Sequence, residues 1–293
     1  MKHLLLIINP VAGQKKAAKY LPEIISVFNR AEYDVHVYIT SSQNDAAEAV
    51  RKLGRTVDLI VCCGGDGTLN ETINGMMREG IQVPIGYIPA GSTNDFANSL
   101  KLSGDVVTAA KQIVDGIPKP YDIGKFKERY FSYVASFGAF TKTSYTTPQN
   151  VKNALGHMAY LLEGISELSK IKKVHVRMEM ESDVIEDDYL FGAICNSTSV
   201  GGILTLSPDI VDLGDGKFEI LLVRAPRSIQ ELHECVLALS NQKYDCGMLT
   251  FRSTSQVRVI TDPDMPWTLD GERSEGGADI LVENLHRSIW LIH

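Results

Sequence analysis

Long apolar runs are missing from this chain of 293 residues. Its longest, such as Leu4–Ile8 and Leu59–Cys63, are far shorter than the roughly 20 residues that a membrane-spanning helix needs. We therefore expect no transmembrane segment and a cytoplasmic protein.

Cysteine is scarce, and its pattern excludes a disulfide framework. The five cysteines are odd in number and form no CxxC pair. Two are adjacent in a strand-like segment, so their side chains point to opposite faces and do not form a metal site. We expect all five thiols to be reduced, and the adjacent pair, Cys62 and Cys63, to have a structural role. The other three are Cys195, Cys235 and Cys246.

Positive charge is also in deficit. Lysine and arginine number 29 against 36 acidic residues, which gives a net charge of −7. This balance argues against nucleic acid as the main partner. With 44% hydrophobic residues, the chain can bury a sizeable core, and its length suits two domains.

Strands and helices alternate up to about residue 118, which predicts an α/β nucleotide-binding domain over residues 1–120. Connections of this length make neighbouring strands parallel and place ligands at their carboxyl ends. The predicted strands are His3–Asn9, Asp34–Thr40, Asp58–Cys63 and Pro84–Ile88, and the predicted helices are Ala17–Phe28 and Asp45–Leu53.

After Lys119 the chain becomes dense in strands whose apolar residues alternate with polar ones. Alternation of this kind is typical of antiparallel sheets. Two helical segments, Val151–Leu168 and Ser228–Ser240, interrupt the strands. We predict an antiparallel β-sandwich domain with helical inserts over residues 121–293, with Ile117–Pro120 as the linker.

A glycine-rich turn, GGDGTLNE at residues 64–71, follows the third strand and opens a helix. Glycines let backbone N–H groups approach a phosphate at a helix N-terminus. The spacing fits neither the dinucleotide pattern nor the Walker pattern. Asp66 beside bound phosphates would hold Mg²⁺ or handle a proton, unless it is only a helix cap.

Two further turns end predicted strands at the same sheet edge. NPVAGQKKA begins at Asn9, with Lys15 or Lys16 able to meet phosphate charge, and PAGSTNDFA begins at Pro89. Each turn alone could be a helix cap. Three on one edge predict a single site for a nucleotide-sized anion.

These segments carry a family resemblance. NPVAG, GGDGTLNE and PAGSTNDFA, followed by DLGDGKFE and TLDGE in the second half, resemble the diacylglycerol kinase catalytic-domain family, specifically the soluble bacterial lipid kinases. The resemblance implies ATP and Mg²⁺ as cofactors. It also implies an ATP-binding α/β domain, a lipid-substrate β-sandwich domain and an active site in the cleft between them.

The resemblance also assigns residues. Glu272 matches a proposed general base, Asp66 the aspartate of the glycine-rich turn, and Asp95 an acidic residue near the phosphates and acceptor. Asp212, Asp215 and Lys217 match a structural Mg²⁺ site. The ATP-holding positions correspond to Asn9, Pro10, Val11, Ala12, Gly13, Thr40, Gly64, Gly65, Asp66, Gly67, Thr68, Leu69, Asn70 and Thr93.

Some of these residues have a plainer interpretation. Glu272 follows an Asp-Gly pair and Asp215 belongs to one, and such pairs are common in tight turns. Gly214 stands where the family usually has an aspartate, and a lone aspartate with backbone carbonyls makes a weak, water-rich Mg²⁺ site. Glu163 stands where some relatives carry a helpful basic residue.

The leading hypothesis is a lipid kinase that phosphorylates the free hydroxyl of diacylglycerol, or of a related neutral lipid, at the membrane surface. An NAD kinase shares the GGDGT turn, but GSTNDFA and the DGE carboxylate favour the lipid branch. A regulator that binds nucleotide or lipid without turnover would not need Glu272. The resemblance leaves a homodimer open.

Overall fold

The computed structural model describes residues 1–92, 94–138, 172–196, 199–200, 204–205, 213–241 and 246–292. The chain divides into two units. The first comprises Met1–Ile123 together with Leu285–His293, and the second comprises Gly124–Asn284.

The first unit contains a parallel sheet in the order β2-β1-β3-β4. Its central strands β1 and β3 are almost wholly apolar because helices cover both faces of such a sheet. The parallel pairing predicted from the alternation of elements is confirmed. The strands are β1 Lys2–Ile8, β2 Tyr33–Ile39, β3 Leu59–Gly64 and β4 Ile85–Pro89.

Six α-helices are described in the first unit. The predicted helix Ala17–Phe28 is divided at Tyr20, because Pro22 occupies the first turn of a new helix, where its missing N–H costs nothing. The helices are α1 Lys16–Lys19, α2 Leu21–Arg30, α3 Asp45–Leu53, α4 Asp66–Glu79, α5 Asp95–Ser99 and α6 Val106–Asp115.

The adjacent cysteines of β3 lie in the core of this unit. Cys62 and Cys63 are both fully buried. Burial raises the pKa of the Cys63 thiol to about 12 and that of Cys62 further still, so both thiols stay protonated. Protonated, inaccessible thiols favour the structural role.

Antiparallel pairs dominate the second unit, as the alternating pattern predicts. Trp267 lies at its core, with ring centroids 4.9 Å from those of Phe126 and Phe137. The packing of these strands into a sandwich remains a prediction, and the predicted helix Val151–Leu168 lies outside the described residues.

The strands from residue 118 onward are β5 Pro118–Phe126, β6 Arg129–Phe131, β7 Val134–Gly138, β8 Val174–Met180, β9 Val184–Cys195, β10 Ser199–Val200, β11 Leu204–Thr205, β12 Phe218–Arg224, β13 Leu249–Thr254, β14 Gln256–Thr261, β15 Trp267–Leu269 and β16 Glu272–Ser274. Helix α7 spans Ile229–Asn241.

The last strand, β17 Asp279–Ile292, takes part in both units. Its first residues pair antiparallel with β14, and Leu291 pairs parallel with Ile85 of β4. The sheet is therefore mixed. None of the helices in the described residues is long and apolar enough to cross a membrane.

Candidate active site

The turns after β1, β3 and β4 are joined by backbone hydrogen bonds where their strands end. Asn9 N–H donates to the Cys63 carbonyl at 3.0 Å, and Ala90 N–H donates to the Gly64 carbonyl at 2.7 Å. Thr40, at the end of β2, donates its N–H to the Ile8 carbonyl at 2.8 Å. Carboxyl ends of adjacent parallel strands are where α/β proteins bind ligands.

Glycines let these turns approach one another closely. A Cβ added to Gly91 would lie 2.6 Å from the Gly65 Cα, and one added to Gly13, whose φ is +46°, would lie 1.9 Å from the Ala90 carbonyl oxygen. No larger residue fits these contacts. The three turns predicted to converge do lie together, with backbone facing backbone.

Asn9 connects the first turn to the second. Its Nδ2 donates to Thr68 Oγ1 at 3.1 Å, while its Oδ1 accepts the Val11 N–H at 3.1 Å. Pro10 and Ala12 are partly buried, and Val11 is 72% exposed. The asparagine thus fixes this turn against the first residues of α4.

Helix α4 begins directly after β3, with Gly65 at the N-cap position. The N–H groups of its first turn give this end of the helix partial positive charge. Gly64 must be glycine because a Cβ there would lie 2.7 Å from Thr68. Gly67 is partly buried, and the side chains of Thr68, Leu69 and Asn70 are buried. A phosphate fits such a glycine-bordered N-terminus.

Asp66, the first residue of α4, holds the third turn. Its Oδ1 accepts the N–H of Phe96, in the first turn of α5, at 3.3 Å. The alternative interpretation of Asp66 is a cap on the helix that follows it. The N-cap residue of α4 is Gly65 instead, and this hydrogen bond joins Asp66 to α5.

Tyr87 interacts with Asp66, and its sequence context does not identify it as a site residue. Its side chain is 1% exposed, and its hydroxyl donates to Asn94 Oδ1 at 3.4 Å. Burial, and the negative charge of Asp66 beside it, raise the pKa of Tyr87 well above its usual value. Its position inside an apolar strand hides it from motif reading.

Asn94 shapes the turn after β4. It adopts φ of +53°, its Oδ1 accepts the Gly91 N–H, and its Nδ2 donates to the Gly91 carbonyl, both at 2.9 Å. Asparagine tolerates this left-handed conformation better than most residues. Asp95 is the first residue of α5, while Thr93 and the side chains of Asp95 and Lys15 lie outside the described part of the chain.

Glu272 lies in the second unit, at the start of β16. The Asp270-Gly271 pair before it has φ of +48° and +82°, as a tight hairpin turn between β15 and β16 requires. Its Oε2 lies 3.2 Å from Arg129 Nη2, and the Glu272 side chain is 33% exposed. Glu272 is thus a turn-adjacent residue with a half-buried, ion-paired carboxylate.

The predicted metal loop is partly described. Asp215 Oδ1 accepts the Lys217 N–H at 2.9 Å, and the Lys217 carbonyl accepts Asn284 Nδ2 at 3.0 Å. Asp212 lies outside the described residues. Among those that are described, no group of three or more His, Cys, Asp or Glu side chains could hold a metal ion. Any Mg²⁺ here would depend on Asp215 and backbone oxygens.

Comparison with known proteins identifies the family of the chain. Residues 3–126 match the family described as the diacylglycerol kinase catalytic domain. A diacylglycerol kinase of Bacillus subtilis (strain 168) is 30% identical over all of this chain and 96% of its own length. One of Staphylococcus haemolyticus is 32% identical over 91% of this chain and 81% of its own.

Solved structures show the same fold. A crystal structure of a diacylglycerol kinase from Bacillus anthracis str. Sterne is 24% identical, with a TM-score of 0.77 over 100% of this chain and 96% of that one. A second structure from that organism gives a TM-score of 0.84 at the same identity, over 100% and 97%.

The first unit therefore has the fold of an α/β protein, with three glycine-containing turns at the carboxyl edge of a parallel sheet. The chain belongs to the diacylglycerol kinase catalytic-domain family, and the family resemblance of its sequence is confirmed.

Proposed function

We propose that this protein is an ATP- and Mg²⁺-dependent kinase that phosphorylates the free hydroxyl of diacylglycerol, or of a related neutral lipid. One observation carries the proposal. The turns after β1, β3 and β4 meet through bare glycine backbone around Asp66, at the N-terminus of α4. That arrangement suits the phosphates of a nucleotide, and the kinase relatives suggest which reaction follows.

ATP would occupy the edge of the first unit, within residues 1–120. The glycine turns admit the phosphates to the backbone, and a lysine after the first turn meets their charge. The residues proposed to hold ATP are Asn9, Pro10, Val11, Ala12, Gly13, Lys15, Thr40, Gly64, Gly65, Asp66, Gly67, Thr68, Leu69, Asn70 and Thr93.

Asp66 suits a role at the metal that accompanies ATP. Mg²⁺ is commonly held by one or two carboxylates together with substrate phosphates, and it neutralises their negative charge. Asp66 offers a carboxylate at the phosphate turn, oriented by the Phe96 N–H. Asp95, one helix away, is proposed to act near the phosphates and the acceptor.

Glu272 is the proposed general base. The acceptor oxygen forms a bond to the γ-phosphorus as the bond from that phosphorus to the β,γ-bridging oxygen breaks, and ADP leaves. The hydroxyl proton passes to the Glu272 carboxylate. With diacylglycerol as acceptor, the products are phosphatidic acid and ADP.

A second, structural Mg²⁺ is proposed at Asp212, Asp215 and Lys217. The second carboxylate oxygen of Asp215 and the remaining lone pair of the Lys217 carbonyl are suitable oxygen ligands. No chemical step depends on this ion. The lipid domain, proposed as a β-sandwich over residues 121–293, would meet its substrate at a membrane surface.

Transfer of labelled phosphate tests the proposal. The protein would be incubated with labelled ATP, Mg²⁺ and mixed micelles of diacylglycerol or other hydroxyl lipids, and separately with NAD. We expect label in phosphatidic acid, lost in Asp66→Ala and Glu272→Ala. Label only in NADP, or in no product, would reject the lipid kinase.

A further inference from the structure

The hairpin of β5 and β6 holds the strand that carries Glu272. Lys127 Nζ donates to the Gly276 carbonyl, and Arg129 Nη1 donates to the Arg273 carbonyl at 3.1 Å. Arg129 Nη2 also donates to Glu272 Oε2 at 3.2 Å. Two cations of one hairpin therefore contact one short segment, but only Arg129 also contacts the side chain of Glu272.

The guanidinium of Arg129 is fixed at two points. One of its nitrogens is bound to a backbone carbonyl of β16 and another to the carboxylate, so the planar group cannot turn without losing a bond. Its side chain is 31% exposed. The ion pair uses Oε2 of Glu272, which leaves Oε1 as the oxygen that an acceptor hydroxyl would meet.

The turn before Glu272 is fixed by Asp270. This carboxylate is 4% exposed and accepts three backbone N–H groups, those of Ser132 at 2.6 Å and of Tyr133 and Val134 at 3.0 Å. Asp270 holds the turn, and Arg129 holds the side chain beyond it. Such support is how a reacting group is kept in one orientation.

We propose that Arg129 is a positioning residue that orients the Glu272 carboxylate towards the acceptor hydroxyl. The inference rests on the proposed function. Arg129 would act through Glu272 and contact neither ATP nor the lipid. Its loss should therefore lower kcat and leave both KM values nearly unchanged, since binding is not what it supports.

The test compares three variants in the labelled-phosphate assay. Arg129→Met keeps the apolar part of the side chain and removes the guanidinium. Arg129→Lys keeps the positive charge but cannot donate to two acceptors with the planar geometry of a guanidinium. Lys127→Met removes only the neighbouring contact of the same hairpin. We expect kcat to fall roughly 10- to 100-fold in Arg129→Met, less in Arg129→Lys, and less than about twofold in Lys127→Met.

Added guanidinium ion separates positioning from folding. It should restore part of the kcat of Arg129→Met, with no gain in Lys127→Met. The inference is overturned if Arg129→Met retains wild-type kcat, if Lys127→Met loses as much, or if the lost kcat is neither rescued by guanidinium nor partly kept by Arg129→Lys. A wild type that phosphorylates no lipid would instead reject the proposed function.

Discussion

At the residue scale, Asp66 combines a charge with a hydrogen bond. Its carboxylate accepts the Phe96 N–H, and it is the first residue of α4, next to the glycine turn that is proposed to bind phosphate. These two contributions can be separated by substitution, because asparagine keeps an acceptor oxygen of the same shape and loses the charge.

Asp66→Asn should lose most activity while keeping the melting temperature of the wild type. Asp66→Ala should lose activity and also stability, by about 1 kcal/mol, since the Phe96 N–H then lacks this acceptor. Thermal unfolding and initial rates of phosphate transfer measure the two effects. Full activity in Asp66→Asn would show that the charge is unnecessary.

Gly91 should not tolerate even a methyl group. An added Cβ would lie 2.6 Å from the Gly65 Cα and 2.7 Å from Asn94 Oδ1, so Gly91→Ala must separate the two turns. We expect a loss of about 1–3 kcal/mol in the free energy of unfolding and a weaker affinity for ATP. Chemical denaturation and calorimetric titration with ATP provide the measurements.

Gly104→Ala is the matched control, because a Cβ at Gly104 meets no atom within 4 Å. Its affinity for ATP should equal that of the wild type, and its stability should be unchanged or slightly higher. If both variants bind ATP equally well, the contact between the turns does not shape the site.

At the scale of elements, Glu71 couples two helices. It lies in α4, and its carboxylate accepts the N–H groups of Asn44 at 2.8 Å and Ala46 at 3.3 Å, at the start of α3. Helix starts leave such donors without intrahelical partners, and Asn44, in the left-handed region at φ of +65°, makes no side-chain cap. Glu71, the last residue of the GGDGTLNE segment, therefore has a structural role.

Glu71→Ala should lower the free energy of unfolding by about 1 kcal/mol, since both donors lose this acceptor. Glu71→Gln should cost less because one carbonyl oxygen remains. Glu79, also in α4, pairs with Arg55, whose side chain is 67% exposed, so Glu79→Ala should cost less than about 0.5 kcal/mol. Equal losses in the two alanine variants would exclude the capping role.

Local patterns were enough to predict most elements of the first unit. Apolar periodicity placed α3 at Asp45–Leu53, where the structure has it, and identified all four strands to within a residue or so. The glycines and the strand ends were enough to predict that the three turns lie together. Both signals are local, because they depend on helix and strand period and on backbone freedom.

Long-range partners could not be predicted in the same way. Nothing in the sequence of β17 indicates that Leu291 pairs with Ile85, about 200 residues earlier, because strand pairing leaves no local mark. From the sequence alone, Tyr87 resembles any other apolar strand residue, and Arg129 resembles an ordinary surface cation. Their roles depend on Asp66 and Glu272, which only folding brings to them.

At the scale of the whole molecule, the proposed function assigns nucleotide binding to one unit and proton removal to the other. The glycine turns and Asp66 belong to the first unit, while Glu272 and Arg129 belong to the second. If this division is correct, nucleotide binding and proton removal should be separable by mutation. A change at Glu272 should stop transfer and leave the ATP site intact.

The most direct test measures ATP affinity and single-turnover transfer to diacylglycerol in the wild type and in Glu272→Gln. Glutamine preserves an acceptor for Arg129 but cannot take the hydroxyl proton at neutral pH. We predict unchanged ATP affinity and transfer that is roughly 100-fold slower or worse. Transfer at the wild-type rate in Glu272→Gln would contradict the account.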